Sequence, residues 1–263
     1  MRQNKWITAA FVALVFLTGG CIADAVAQTA SSTSTSVSTS PQEMNDVRLF
    51  RSWAADAVFT PGIDLEPVFN YAFFDPGNRW FGGARAAAWV ADGLEVGGQI
   101  GWGGFSPDNG DSESGFADLD LFGRYRLPVD FGGTMAVGTE LSLPTGSAEA
   151  GQDETFVRIF GALRQEVGGA MTFAANMGFE YAELFNDDAT GLALGFGSLV
   201  PVSESLTAVF EFNLRTAFDY TILTGGVDYE LPPGGHLRAA IGIGLADQAP
   251  DVDLQVALTL PVF

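Results

Sequence analysis

The stretch Asp251-Val-Asp-Leu-Gln-Val-Ala-Leu-Thr-Leu-Pro-Val-Phe263 alternates between apolar and polar side chains. Every even position from Val252 to Val262 is apolar, whereas the odd positions from Asp251 to Thr259 carry Asp, Gln, Ala or Thr. A period of two residues is that of a β-strand with one apolar face, and about 10 residues allow a tilted strand to cross a bilayer. The stretch therefore predicts the closing strand of a transmembrane β-barrel.

The composition combines strong negative charge with high hydropathy. The 263-residue chain has a formal net charge of −20 and a mean hydropathy of +0.20, with 33 Gly and 22 Phe. Glycine and phenylalanine suit closely spaced strands with an aromatic outer surface. Nucleic acid is not an expected partner, because neutralising its phosphates requires Lys and Arg.

The N-terminal residues have the pattern of an export signal. Arg2 and Lys5 precede an apolar segment over residues 6–17, and Ala25-Val-Ala27 follows it. This pattern predicts a secretory signal peptide over residues 1–27.

Lipoprotein processing at Cys21 is an alternative, but Thr18 is unusual at a position where lipoprotein signals carry Leu. Cleavage after Ala27 removes the only cysteine, so no disulfide is expected. No later segment has the 18 or more apolar residues of a membrane helix. Membrane crossing therefore requires a barrel.

Two further segments precede the predicted barrel. Residues 28–40 are almost all Ser, Thr and Ala and predict a flexible linker. The capping box Ser40-Pro-Gln-Glu43 then predicts a short N-terminal amphipathic helix within residues 41–62. One face of this helix is apolar and contains Val47, Phe50, Ala54 and Val58. The segment fits either a periplasmic helix before the barrel or a plug in its lumen.

Turn signals divide residues 63–263 into segments of about ten residues. Short connections such as 91–93 alternate with longer acidic ones such as 104–115, as in bacterial outer-membrane barrels. We therefore predict an all-β, up-and-down antiparallel barrel of about 12 strands with both chain ends in the periplasm. The predicted strands are 64–74, 79–90, 94–103, 116–127, 134–143, 155–166, 170–181, 190–200, 206–218, 220–231, 236–245 and 251–263.

Within each predicted strand the charges fall on the face opposite to the apolar one. A soluble barrel would show the reverse arrangement, and a charge on the lipid face would cost about 2–4 kcal/mol at mid-membrane. The inward charges either neutralise one another or form a constriction that selects solutes, and the two roles are compatible. The candidate lumen residues are Asp118, Asp120, Arg124, Arg126, Glu140, Arg158, Arg164, Glu211, Arg215 and Arg238.

Outward aromatic residues form two levels, which is typical of the girdles of membrane barrels. The two levels consist of Phe73, Trp80, Trp102 and Tyr181 at one end and Tyr125 and Tyr229 at the other. The terminal Phe263 is similar to the signal by which outer-membrane barrels are recognised for assembly, although it is one residue out of phase with the apolar face. We therefore expect a bacterial outer-membrane location, with lipid, lipopolysaccharide and the barrel-assembly machinery as partners.

One part of the chain resembles a known family. Gly115-Phe-Ala-Asp-Leu-Asp-Leu-Phe-Gly-Arg-Tyr-Arg-Leu127, followed by Leu141-Ser-Leu-Pro-Thr-Gly146, resembles the outer-membrane transporter family named for the MetA pathway of phenol degradation. Ala117 stands where the family pattern has Gly. The resemblance covers mainly residues 115–181 and implies passage of small hydrophobic or aromatic compounds.

Residues suited to catalysis are few. His236 is the only histidine, it lies at a predicted turn, and no Gly-x-Ser-x-Gly stretch marks a nucleophile. We therefore predict no catalytic residue, no cofactor and no metal site built from His and Cys. The loop acids are expected to be solvated, with binding of divalent cations as the alternative; they are Asp108, Asp111, Glu113, Asp153, Glu154, Asp187 and Asp188.

The sequence therefore predicts a channel for small solutes in the outer membrane. Two other functions stay open: a structural or adhesive barrel that does not conduct, and an outer-membrane enzyme that modifies lipids. A Ser or Asp close to His236 would favour the enzyme, whereas the lumen and the position of residues 41–58 distinguish a channel from a closed barrel.

Overall fold

A computed structural model describes residues 46–129, 132–147, 155–183 and 188–262. Thirteen strand segments follow one another along the chain, joined by short connections. They are β1 Ile63–Phe74, β2 Gly77–Ala91, β3 Leu94–Pro107, β4 Glu113–Phe116, β5 Leu119–Arg126, β6 Gly133–Leu143, β7 Thr155–Val167, β8 Met171–Glu183, β9 Asp188–Pro201, β10 Leu206–Arg215, β11 Tyr220–Leu231, β12 Gly235–Gly244 and β13 Val252–Val262.

These segments form a closed antiparallel barrel of 12 strands, as predicted. The pair β4 and β5 is one strand in two pieces, because both pair with β3 and Ala117 N between them donates to Gly101 O at 3.0 Å. Closure is made by β1 and β13, whose register pairs Ile63 with Val262. The first residue of β1 and the last residue of β13 therefore lie side by side at one end of the barrel. We term this end the terminal end and the opposite end the far end.

The predicted strand boundaries agree with those of the described strands to within four residues. The strand expected over residues 206–218 ends at Arg215, and Thr216–Phe218 form a 3-10 turn. Asp219 closes this turn with a φ of 45°, so a left-handed residue makes the tight connection between β10 and β11.

Alternation sorts the side chains between lipid face and lumen, as the sequence predicts. On β13, Leu254 and Val256 are 42% and 48% exposed, whereas Asp253 and Gln255 are each 2% exposed. Residues that pair across neighbouring strands face the same side of the sheet, so this division into two faces continues around the barrel. None of the helices in the described part of the chain is long and apolar enough to cross a membrane.

The short N-terminal helix is the one part of the predicted fold that the structure corrects. Residues 46–62 contain no α-helix, and residues 41–45 lie outside the described chain. The apolar spacing of Val47, Phe50 and Val58 fits one helical face, yet neighbouring residues such as Leu49 and Ala55 are buried as well. A segment that is buried on all sides does not need its apolar residues on one helical face, and this segment lies inside the barrel and not on a surface.

The outward position of Val256, near the middle of β13, generates a test of the membrane assignment. We expect Val256→Arg to lower the free energy of unfolding by about 2–4 kcal/mol, because the charge would face mid-membrane lipid. The matched variant is Val262→Arg, at the strand end, where the cost falls to about 0–1 kcal/mol. Urea unfolding in lipid vesicles measures both, and equal costs at the two depths would contradict the lipid-facing assignment.

Candidate functional site

The lumen is occupied in its terminal half by the segment that precedes the barrel, residues 46–62, which we term the plug. The plug rises from the terminal end to Arg51 near mid-barrel and then returns to enter β1 at Ile63. Leu49 and Phe50 are each 1% exposed. The plug is therefore part of the barrel interior.

Three apolar clusters seat the plug against opposite sides of the wall. Leu49 and Phe50 pack with Leu199 and Val209 on one side. The other two clusters join Ala55, Ala57 and Phe59 to Ala136, Phe160 and Ala162, and Trp53 and Ala54 to Ala87 and Phe122. The wall is therefore apolar where the plug is apolar, although most of the lumen is polar.

Glycines on the lumen face give the plug the space that it occupies. A Cβ atom at Gly197 would lie 2.6 Å from a Leu49 methyl carbon, and one at Gly226 would lie 2.6 Å from the Phe50 ring. Both distances are shorter than side chains tolerate, so larger residues at these positions would displace the plug.

Glu211 binds the backbone of the plug at the part that lies farthest from the terminal end. Its carboxylate accepts hydrogen bonds from Phe50 N, from Arg51 N at 3.0 Å and from Ser52 N at 3.4 Å. Three converging N–H donors satisfy a carboxylate in the way that a helix N-terminus does. Glu211 therefore replaces the hydrogen bonds that an α-helix would have supplied to this segment.

Three wall arginines hold plug carbonyl groups. Arg164 donates to Val47 O, Arg238 donates to Arg48 O, and Arg124 donates to Ala54 O at 3.2 Å and to Asp56 O. Arg124 and Arg238 are each 1% exposed. Because buried guanidinium groups must be hydrogen bonded, the plug backbone and these side chains stabilise each other.

Ion pairs join plug side chains to the wall. Arg48 contacts Asp64 and Glu95, each at 3.1 Å, and Arg51 contacts Asp253. Burial alone would lower the pKa of Arg48, but the neighbouring carboxylates outweigh it and hold that pKa above its ordinary value.

Asp56 folds the plug back on itself. It accepts from Leu49 N at 2.8 Å and from Arg164 at 3.1 Å. The backbone and the charges of the plug are thus bound to the wall from several directions.

Above the plug lies a cavity of about 1300 Å³ that extends through the far half of the barrel. Its floor is formed by Phe50, Arg51, Trp53 and Ala54. Its walls carry five of the predicted lumen residues, and these are Asp118, Asp120, Glu140, Arg158 and Arg215. The barrel is therefore filled by the plug in its terminal half and hollow in its far half.

The predicted lumen residues consequently separate into three groups. Five line the cavity, as above, and Arg124, Arg164, Glu211 and Arg238 contact the plug. Arg126 is exposed at the terminal end and lines neither region. The four residues Asp118, Asp120, Arg124 and Arg126 therefore do not form one constriction. Phe263 lies outside the described residues.

The sequence does not predict that Glu95 and Asp253 contact the plug, where they pair with Arg48 and Arg51. A signal was present in the pattern. Leu199, Val209 and Ile222 place apolar side chains on inward positions of a lumen that is otherwise polar. Apolar residues facing a water-filled bore require something to cover them.

The surroundings of His236 bear on the enzyme alternative. Asp228 Oδ1 lies 2.7 Å from His236 Nδ1, so an Asp that would favour an enzyme does lie beside the histidine. Within the described chain, no Ser or Thr hydroxyl is hydrogen bonded to His236, and no group of three or more His, Cys, Asp or Glu residues is arranged to hold a metal ion. Of the loop acids, Asp153, Glu154 and Asp187 lie outside the described residues.

Comparison with known proteins identifies relatives in fold. An outer-membrane channel from Pseudomonas putida F1 is similar with a TM-score of 0.59 at 14% identity, over 78% of this chain and 97% of that one. The KdgM porin in complex with disordered oligogalacturonate gives a TM-score of 0.55 at 12% identity, over 75% and 99%. The NanC porin gives 0.55 at 9% identity, over 76% and 100%.

These identities show the fold alone, which is that of outer-membrane β-barrels. No family model matches the chain, and no curated protein matches it. The resemblance to the MetA-pathway family therefore stays a prediction.

Glu211 offers a test of how the plug is held. We expect Glu211→Gln to weaken three hydrogen bonds to charge, lowering the free energy of plug release by about 2 kcal/mol. Amide hydrogen exchange at Phe50, Arg51 and Ser52 should then accelerate about 10–30-fold, while the β10–β11 amides stay protected. Glu166→Gln, on an exposed inward residue at the terminal end, is the matched control. Unchanged exchange in the plug would contradict this role of Glu211.

Proposed function

We propose that this protein is an outer-membrane channel for small solutes and that the plug is its gate. One observation carries the proposal: a cavity of about 1300 Å³ ends on a segment of the same chain that is not part of the barrel sheet. Release of that segment would extend the cavity toward the terminal end. Lipid and lipopolysaccharide would then surround the barrel, and the barrel-assembly machinery would insert it.

The way in which the plug is bound supports a gate. Within the described chain no β-ladder joins residues 46–61 to the wall, so movement of the plug would leave the barrel hydrogen bonds intact. The contacts are side-chain hydrogen bonds, ion pairs and three small apolar clusters, each of which water can replace at modest cost. A segment that closed the barrel permanently would be expected to join the sheet.

The fold relatives support transport as the general activity. They include an outer-membrane channel and two porins, one of which is in complex with disordered oligogalacturonate. We further propose hydrophobic or aromatic solutes, on the resemblance of residues 115–127 and on the aromatic residues of the cavity wall, which include Phe74, Phe105, Phe156 and Phe218.

The charges of the cavity wall should set ion selectivity. We expect the double variant Asp118→Asn and Asp120→Asn to shift selectivity toward anions, because it removes two negative charges from a narrow wall. The shift should be larger at low salt, where screening is weak. Reversal potentials in planar bilayers measure it, and Leu119→Ala, on the adjacent outward position, should leave them unchanged. Equal shifts in both variants would contradict a wall role for these acids.

A reversible crosslink tests the gate directly. Ser52 Oγ on the plug lies 2.8 Å from Asn213 Oδ1 on the wall, so we choose the pair Ser52→Cys and Asn213→Cys for a disulfide crosslink between plug and wall. The only native cysteine, Cys21, falls within the expected signal peptide. We expect oxidation to abolish conductance and reduction to restore it, whereas each single cysteine variant should conduct in both conditions.

The second candidate function is a barrel that never conducts, and the tight burial of Leu49, Phe50 and Glu211 favours it. It predicts no conductance in the reduced double variant, in the single variants or in the unmodified protein. Conductance that persists after complete crosslinking would instead show that solutes pass without plug movement, which would contradict the gate.

A further inference from the structure

Arg79, near the far end of β2, is held between two aromatic rings on the lumen wall. Its guanidinium carbon lies 5.4 Å from the centroid of Phe74 and 5.7 Å from that of Phe105. All three residues line the far cavity. We term these residues the mouth clamp.

Arg79 differs from the other arginines of the cavity in having no carboxylate. Arg51 pairs with Asp253, Arg85 with Glu66, and Arg158 with Glu140. In the described part of the chain, no ion pair or side-chain hydrogen bond is made by Arg79, whose side chain is exposed to the cavity. Among the described residues, the clamp therefore presents a positive charge whose N–H donors have no protein partner.

A second arginine on the wall shows what such a clamp accommodates. Arg215 lies 4.9 Å from the Phe156 ring and 4.4 Å from the Phe218 ring, the same construction as in the mouth clamp. There the edge of the guanidinium is occupied, because Arg215 Nε donates to the Glu180 carboxylate at 2.8 Å. Two aromatic rings beside an arginine therefore leave its N–H groups able to pair with a carboxylate.

From this pair of clamps we infer that Arg79, Phe74 and Phe105 form a docking site for the carboxylate of a small organic acid. The planar N–H fork of arginine matches two carboxylate oxygens, and the rings restrict the motion of the side chain. The aromatic surface beside the fork packs against the apolar body of the ligand. The inference rests on the proposed channel and names an acid as one class of its solutes.

Glu113 is the charge that opposes docking. Its backbone pairs with that of Phe105, its side chain shares the lumen face with the clamp, and it is exposed. A carboxylate on the neighbouring strand repels a bound anion and makes docking weak and reversible, as transport requires. Removing this charge should therefore strengthen binding.

The test measures binding without conductance. The full-length protein in lipid nanodiscs is titrated with benzoate and, separately, with benzyl alcohol, and dissociation constants are obtained from ligand-observed NMR. We expect Arg79→Gln to weaken benzoate binding about 5–10-fold, the loss of one charge-assisted hydrogen-bonded pair. Arg79→Lys should recover part of the loss, because it keeps the charge and loses the fork. Glu113→Gln should tighten benzoate binding.

Arg126→Gln is the matched control, because it removes an exposed inward arginine that lies at the other end of the barrel. It should leave benzoate binding unchanged, and each variant is first shown to keep the heat-modifiable mobility of a folded barrel. Benzoate binding that is unaffected by Arg79→Gln, or an equal loss with benzyl alcohol, would overturn the carboxylate site. Benzoate binding through Arg79 in a protein that never conducts would instead contradict only the channel.

Discussion

The buried arginines of the lumen must each find hydrogen-bond acceptors, and the rest of the interior depends on this constraint. Arg124, Arg164 and Arg238 project from the wall into a space that water only partly reaches. Their acceptors come largely from carbonyl groups of the plug. If the plug left, water entering the lumen would have to replace these acceptors, because a guanidinium group without hydrogen-bond partners is costly to bury.

The same constraint explains why the plug is not a helix. An α-helix uses its own carbonyl groups along its length, so it would offer few of them to the wall arginines. The irregular plug leaves those carbonyl groups available as acceptors, and three of its N–H groups donate hydrogen bonds to Glu211. Complementary charge on the two partners therefore selects the conformation of the segment, and the apolar clusters fix its position.

The barrel could be predicted from the sequence because strand alternation is local. The period of two in β13 and its counterparts decides which face each residue takes, and Asp118, Arg158 and Glu211 are buried on the lumen side. The plug could not be predicted in the same way, since Val47, Phe50 and Val58 fit a helical stripe and full burial equally well. Which wall arginine meets which plug carbonyl depends on contacts between residues more than a hundred positions apart.

The central claim is that the plug, and not the barrel wall, closes the lumen. Single-channel conductance of a variant lacking residues 46–58 tests it most directly, in protein whose heat-modifiable mobility shows a folded barrel. The account predicts a steady conductance well above that of the unmodified chain. A folded barrel without residues 46–58 that conducts no more than the unmodified chain would contradict it.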